Sequence, residues 1–319
     1  MKALKSKLAP LIEEYTAFRK SLGYSNTHRH YLGFFDDYCV KHYPQEDKLT
    51  EELVLGWISD EAIHRPGILR DEVFSVRGFA KHLRNGSYII SPEYTPRHKK
   101  SPIPYILTEK ELADFFAAVD TITWKDPFMH KTIPTLLRLL YTCGLRPNEA
   151  RFLKQKSVNL DAGEIFIEQT KRQIQRIVQM SDDTIRMMRG YDRDRKIFVG
   201  KCDYFFVKSD GQQLTQAALW QAVHRSWVYA NPDISKEELP QINPYTFRHQ
   251  FASTVMIKWL DEGKDLYSML PYLKAFMGHV HYSSTVYYIH LLPERLANSP
   301  GVDWAKLDSI GLEANIWHS

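Results

Sequence analysis

Two arginines lie where the sequence predicts that a side chain is held in place rather than solvated. Arg146, in TCGLRPNEA (142–150), stands between a glycine turn at a helix end and Pro147, which opens the next helix. Arg248, in PYTFRHQFAS (244–253), belongs to an otherwise apolar helix, where an unpaired buried cation would be very costly. Because a guanidinium fork binds a phosphate through two parallel hydrogen bonds, both arginines are candidate phosphate ligands.

Several nearby residues could assist these arginines. Glu149 follows Arg146 by three residues and could hold its guanidinium, although Arg–Glu pairs at this spacing also occur on ordinary helix surfaces. Tyr245 and His249 lie beside Arg248 in the same helix, and a phenol can donate a hydrogen bond to a phosphate oxygen. Lys171 lies between two predicted strands, where a lysine is usually only solvated.

The stretch MGHVHYSSTVYYIH (277–290) adds a Gly-His pair that contains His279, followed by two adjacent tyrosines, Tyr287 and Tyr288. Helical neighbours point about 100° apart, because an α-helix has about 3.6 residues per turn. If the segment is helical, the two phenols cannot both reach one phosphate. An arbitrary tyrosine pair is more often two core aromatics, so this stretch alone does not assign a nucleophile.

The elements that must position these residues follow from the hydrophobic periodicity. Residues 1–93 show helical spacing and no strand alternation. In the second part, Thr108 and Glu111 form a capping-box pattern, and IPTLLRLLYTCG is an apolar helix with Pro134 near its start. GEIFIEQTKRQIQRIVQM alternates as a β-hairpin does, and helices return after Ser181. The predicted fold class is mainly α with a small β-sheet.

The sequence divides into a helical unit (1–93), a linker (94–104) and a second unit with a C-terminal tail (105–319). Between His64 and Lys100, eight Lys/Arg face three Asp/Glu, a surplus of five positive charges. Such clustering is typical of a surface that binds nucleic-acid phosphates, although a solvated helix face followed by a linker would look the same. The candidate DNA-binding residues are Arg77, Lys81, Arg97, Lys99 and Lys100.

Composition narrows the class of protein. With 319 residues, 44% of them apolar and 25% charged, the chain is long enough to bury a core without a disulfide or metal. The three cysteines fit no ligand spacing and suit a reducing compartment. The N-terminus is amphipathic rather than a signal peptide, and no apolar run reaches the length of a membrane span. We therefore expect a cytoplasmic protein.

Five motifs in order, GLRPNEA, the hairpin TK, YTFRHQFA, MGH and VYYIH, resemble the tyrosine recombinase (phage integrase) family. The resemblance covers roughly residues 104–290, and the first unit with FRKSLGY is similar to the core-binding domain of that family. It implies a helical core-binding domain and a mixed α/β catalytic domain that clamp duplex DNA. It further implies a 3′-phosphotyrosyl intermediate, assembly as a homo-tetramer on a specific site, and no metal or nucleotide cofactor.

The resemblance also implies roles for individual residues. In the family the nucleophile lies nine residues after the histidine of the Gly-His motif, which selects Tyr288 and leaves Tyr287 to packing. The full catalytic set implied is Arg146, Lys171, Tyr245, Arg248, His279 and Tyr288, supported by Glu149 and His249. The arginines would bind the non-bridging oxygens, Lys171 would protonate the leaving 5′-oxygen, and His279 would donate a hydrogen bond to the phosphate.

Two departures from the family pattern bear on function. Tyr245 stands where most members have histidine, and a phenol is a poor base at neutral pH. The segment before the Gly-His motif is about one helical turn longer than usual, as in recombinases carried by transposons, which indicates integration or excision of a mobile element. A type IB topoisomerase or a catalytically impaired DNA-binding regulator remains an alternative. The DNA site, accessory DNA-bending proteins and the role of the tail are left open.

Overall fold

The structure is a computed structural model that describes residues 3–24, 26–64, 69–83, 104–168, 175–286 and 288. The chain forms two compact units that divide between residues 101 and 102. The predicted linker lies outside the described residues except for its last position, so its boundaries remain predictions. Among the described helices, none is long and apolar enough to cross a membrane.

The described part of the first unit consists of helices joined by turns: α1 Ala9–Ser21, α2 Thr27–His42, α3 Glu51–His64 and α4 Leu69–His82. Each helix turns one apolar face inward, as the spacing predicts. These faces form one core of aliphatic and aromatic side chains, including Leu32, Phe35, Trp57, Val76 and Phe79.

Helix α4 carries two of the residues predicted to bind DNA. Arg77 is half-buried, and its guanidinium carbon lies 5.5 Å from the centre of the Phe74 ring. Lys81 is exposed. The other three predicted DNA-binding residues, Arg97, Lys99 and Lys100, lie outside the described residues.

The second unit is mostly helical. Its described helices are α5 Glu109–Thr121, α6 Met129–Cys143, α7 Pro147–Arg151, α8 Asp182–Phe198, α9 Gln216–Ala230, α10 Pro244–Asp261, α11 Leu266–Met277 and α12 Ser283–Val286, with a short 3₁₀ turn at Gln155–Ser157. Helix α6 packs against α8 and α10, and α5 packs against α9. The long apolar helix α6 is thereby buried at the centre of the unit.

Side chains that accept from backbone N–H groups lie at the starts of α5 and α6. The capping box predicted at the start of α5 is confirmed, because the Thr108 hydroxyl accepts from the Glu111 backbone and the Glu111 carboxylate accepts from Thr108. Helix α6 begins earlier than the IPTLL segment suggests, with the Asp126 carboxylate accepting a hydrogen bond from Phe128 N at 2.9 Å. Pro134 therefore lies in the second turn of α6 rather than at its start.

The sheet has three antiparallel strands in the order β1 (Val158–Asn159), β2 (Glu164–Ile167) and β3 (Arg176–Gln179). Strands β2 and β3 form the hairpin that the alternation predicts, with Ile165 opposite Val178. The short β1 was not predicted, because two residues are too few to show alternation. The hairpin tip, including Lys171, lies outside the described residues.

Candidate active site

Arg146 is fixed by the turn that joins α6 to α7. Gly144 ends α6 with a left-handed φ of 58°, and a Cβ there would clash with the Phe251 ring. Arg146 then caps α7 in an extended conformation. Its Nη1 donates to Glu149 Oε1 at 2.7 Å and its Nη2 donates to the Gly278 carbonyl oxygen at 2.8 Å. The guanidinium is thus held by both a carboxylate and a helix end.

Glu149 also binds a second arginine, Arg176, which the sequence motifs do not predict as a site residue. Arg176 on β3 donates from Nη1 to Glu149 Oε1 at 3.0 Å and from Nη2 to Oε2 at 2.7 Å. Both side chains are almost fully buried, with 4% of Glu149 and 6% of Arg176 exposed. Burial alone would raise the pKa of Glu149, but hydrogen bonds and charge from Arg176 and Arg146 outweigh it and hold the pKa at about 2.

Gly278 allows Arg176 to lie beneath the end of α11. The glycine ends that helix with a left-handed φ of 65°, and a Cβ at this position would meet Arg176 Nη1 at 2.8 Å. Arg176 Nε donates to the Phe276 carbonyl oxygen at 2.8 Å, which ties β3 to the last turn of α11. The glycine of the Gly-His motif therefore leaves room for the buried Arg176 and also allows the left-handed turn before His279.

Arg248 is buried on α10 and is held by the ends of two helices. Its Nη1 donates to the Gly144 carbonyl oxygen at 2.5 Å, and its Nη2 donates to the Met277 carbonyl oxygen at 2.7 Å. Carbonyl groups at helix C-termini carry partial negative charge, which favours a cation there. Burial, with some help from the charge of Arg146, lowers the pKa of Arg248 to about 10, so the side chain remains a cation at neutral pH.

Tyr288 packs between two histidines. Its ring stacks on His279 with 5.8 Å between the ring centres and 13° between the planes, and it lies 5.4 Å from the ring of His249. Burial, followed by the charge of Arg248, lowers the pKa of His279 to about 3 and that of His249 to about 4. Both imidazoles are therefore neutral at pH 7, and 4% of Tyr288 is exposed.

A groove of about 830 Å³ opens beside this cluster, and Arg146, Glu149, Tyr245 and His279 are among its lining residues. Tyr245 stands in the first turn of α10 and is 39% exposed, so its phenol is accessible from the groove. Most of the predicted catalytic residues thus come together in the structure. Lys171 lies outside the described residues, and its place remains a prediction.

The site carries more positive than negative charge. Arg146, Arg176 and Arg248 against Glu149 give the cluster a surplus of two positive charges, which suits an anionic ligand.

Arg176 had one sequence signal, since a charged residue occupies a position where strand alternation predicts an inward-facing apolar one. Within the described ranges, no group of three or more His, Cys, Asp or Glu side chains could hold a metal ion.

Comparison with known proteins identifies the family. The sequence matches the Phage integrase family over residues 106–295, which is more than half of the chain. The chain belongs to the phage integrase family. The matched segment includes every site residue described above, so the cluster lies inside the part that defines this integrase family.

Within the phage integrase family, the chain has relatives over most of its length. It is 32% identical over 196 residues to y4rE of Sinorhizobium fredii, described as an integrase/recombinase, covering 61% of this chain and 62% of that protein. It is 25% identical over 299 residues to y4rB of the same organism, covering 89% and 92%. It is 26% identical over 283 residues to the tyrosine recombinase XerD of Pseudomonas putida, covering 85% and 87%.

Solved structures of other integrases and recombinases share the fold. XerH site-specific recombinase, bound to palindromic difH substrate in a post-cleavage complex, matches with a TM-score of 0.64 at 21% identity, over 85% of this chain and 77% of that one. The Tn1549 transposon integrase, in complex with transposon right end DNA, matches with a TM-score of 0.64 at 13% identity, over 90% and 99%. The predicted fold class, mostly helical with a small sheet, is confirmed.

Proposed function

We propose that this protein is a site-specific DNA recombinase that cuts and rejoins strands through a 3′-phosphotyrosyl intermediate. The observation that carries the proposal is the placement of Tyr288 against His249 and His279, in a cluster with fixed arginines and surplus positive charge. A phosphodiester is anionic, and nucleophilic attack increases the charge on its non-bridging oxygens. Arg146 and Arg248 stabilise that charge because they are positioned before the substrate arrives.

The chemical step follows from these positions. The Tyr288 oxygen attacks phosphorus, forming the tyrosyl ester and releasing the 5′-oxygen, so that the bond energy is kept for rejoining. Lys171 supplies the proton to the leaving oxygen. The phenol proton of Tyr288 passes to the neighbouring imidazole of His249. An incoming phosphate adds negative charge there, which raises the pKa of His249 from about 4 and makes it a better proton acceptor.

The biological setting is part of the same proposal. Duplex DNA with a specific recombination site is the partner, and four copies of the chain assemble on it. The integrase/recombinase relatives y4rE and y4rB support a role in integrating or excising a mobile element, as does the long sequence segment before the Gly-His motif. The proposed location is the cytoplasm, in association with the nucleoid.

A plasmid assay tests this function. Supercoiled plasmids carrying two, one or no copies of a cognate site are incubated with the protein, and the products are separated on gels. A recombinase gives site-dependent exchange that needs two copies. Relaxation of every plasmid without exchange would instead indicate a type IB topoisomerase, and binding without any cleavage would indicate a regulator.

Tyr245 is expected to orient the phosphate as a hydrogen-bond donor and not to carry the proton in the slowest step. Tyr245→Phe should slow cleavage by about 10- to 100-fold, the lower range for loss of a catalytic donor. Tyr245→His should be active, because imidazole is the usual group at this position. Single-turnover cleavage of a labelled site measures both, with the exposed Tyr229→Phe on α9 as control. A Tyr245→Phe enzyme as inactive as Arg248→Ala would refute this role.

The basic linker is expected to contact the DNA backbone. Replacing Arg97, Lys99 and Lys100 with alanine should weaken binding to all sequences alike and lower the slope of log affinity against log salt by about 3, or roughly one for each phosphate contact. Titrations at several salt concentrations measure the slope. A matched variant with alanine at the exposed Lys110, Lys196 and Lys264 controls for net charge. Equal slopes for both variants would mean that the linker is only solvated.

A further inference from the structure

His279 contacts a different partner through each ring nitrogen. Its Nε2 lies 2.8 Å from Arg248 Nη2, and its Nδ1 lies 2.8 Å from the Thr285 hydroxyl. A guanidinium can only donate, so Nε2 must accept. Because the imidazole is neutral at pH 7, its single proton is on Nδ1 and is donated to the Thr285 oxygen.

The proposed chemistry requires the opposite arrangement. As a hydrogen-bond donor to the phosphate, His279 must carry its proton on Nε2, the nitrogen that Arg248 now occupies. When a phosphate oxygen takes over the Arg248 donor, Nε2 becomes free to be protonated. Nδ1 then loses its proton to solvent while Nε2 gains one, and the charge of the ring does not change. After this exchange Nδ1 is an acceptor and needs a donor.

We propose that Thr285 is the positioning residue that allows His279 to make this exchange. A hydroxyl has one donor and two acceptor sites, so it can accept from Nδ1–H before DNA binds and donate to Nδ1 afterwards. A carbonyl or carboxylate could do only the first of these. Thr285 is fully buried on α12, whereas His279 is half-buried and lines the groove, so the ring can exchange its proton with solvent while its Nδ1 partner stays in place.

The same residue lies close to the nucleophile. The Tyr288 backbone N–H donates to the Thr285 carbonyl oxygen at 3.1 Å, so the turn that carries the phenol begins at Thr285. The ring of Tyr288 in turn stacks on His279. Thr285 thus contacts His279 through its side chain and Tyr288 through its backbone. Only the side-chain contact is changed by a substitution at this position.

Nitrogen-15 NMR of the labelled protein tests the exchange, with His279→Gln used to assign the signal. In the free protein we expect the proton on Nδ1. In a complex of the uncleaving Tyr288→Phe chain with cognate duplex DNA, we expect it on Nε2. Thr285→Ser should behave in the same way, whereas Thr285→Val, which is similar in shape but has no hydroxyl, should not complete the exchange.

Kinetics provide the second measurement. Thr285→Val should lower the single-turnover cleavage rate by about 10- to 100-fold, the usual effect of losing a group that fixes a functional histidine, while DNA affinity stays near that of the wild type. Thr285→Ser should restore most of the rate. Ser226→Ala on α9 removes another fully buried hydroxyl and serves as the control for lost packing or polarity.

Four outcomes would overturn the inference: the proton on Nε2 in free protein, the proton still on Nδ1 in the DNA complex, protons on both nitrogens in that complex, or a Thr285→Val chain that cleaves at the wild-type rate. If Thr285→Val does not fold, the wild-type spectra with and without DNA still show whether the His279 proton moves from Nδ1 to Nε2. The inference rests on the proposed function, and the two fail differently. A wild-type protein that forms no covalent adduct contradicts the function, whereas an active wild type with an unchanged tautomer contradicts only the role of Thr285.

Discussion

Tyr288→Phe should abolish covalent attachment to DNA while leaving the fold and DNA binding intact. The substitution removes one oxygen and little volume from a ring that packs between His249 and His279, so the packing is kept. No nucleophile then remains to form the ester. A nicked suicide substrate with a cognate site traps the adduct, which a denaturing gel separates and peptide sequencing assigns. We expect the wild-type label on Tyr288, at the 3′ end of the broken strand.

Tyr287→Phe is the matched control for this experiment. The neighbouring phenol is predicted to serve packing, so its loss should leave cleavage near the wild-type rate. Label on Tyr287 would contradict the nine-residue spacing from His279. Label on neither tyrosine, with a verified site, would favour the DNA-binding regulator.

Glu149→Gln should destabilise the second unit by about 3 kcal/mol, because it leaves the buried Arg176 without its counter-charge. The pKa supports this magnitude, since a value of about 2 against the ordinary 4.5 corresponds to about 3 kcal/mol. Cleavage should fall as well, because Arg146 loses the carboxylate that holds its Nη1. Unfolding of the second unit is followed by hydrogen exchange on peptides from α6, since a chain of two units need not unfold in one step.

The loss of stability in Glu149→Gln is expected to depend on pH. A carboxyl whose pKa is lowered on folding stabilises the protein above its unfolded pKa, and this stabilisation is lost as the pH falls towards the folded value. The difference between wild type and Glu149→Gln should therefore be full above about pH 4.5 and shrink towards pH 2. Asp120→Asn is the control, because Asp120 makes the same two-bonded contact to Arg138 on the surface, where pairs contribute about 0–1 kcal/mol. Equal losses for the two variants would contradict the prediction.

The sequence predicts a large part of this site because its key residues lie next to glycines and prolines that begin or end helices. Arg146 lies between a glycine turn and a proline, and His279 follows a glycine that ends a helix. Such signals are local, and they fix backbone direction within a few residues. The capping box of α5 and the hairpin formed by β2 and β3 are predictable for the same reason.

What the sequence does not predict depends on contacts between distant segments. Arg176 donates hydrogen bonds to the Glu149 carboxylate and to the Phe276 carbonyl oxygen, which belong to two distant segments of the chain. No sequence spacing connects these three positions. Thr285 becomes meaningful only when α12 brings its hydroxyl to His279. In the sequence alone, a threonine between a serine and a valine looks like any other threonine.

The order of the site residues along the chain has a consequence for protein synthesis. Gly278 and Met277 supply carbonyl oxygens that hold Arg146 and Arg248, beside the earlier partners Glu149 and Gly144. The proposed nucleophile follows only at Tyr288. A ribosome therefore makes both arginines before it makes the two carbonyl groups of the Gly-His segment and the proposed nucleophile. A transcript with a premature stop codon between residues 250 and 276 yields a product that has both arginines but lacks these carbonyl groups and Tyr288. We expect such a fragment to form no covalent adduct with DNA, because it ends before Tyr288.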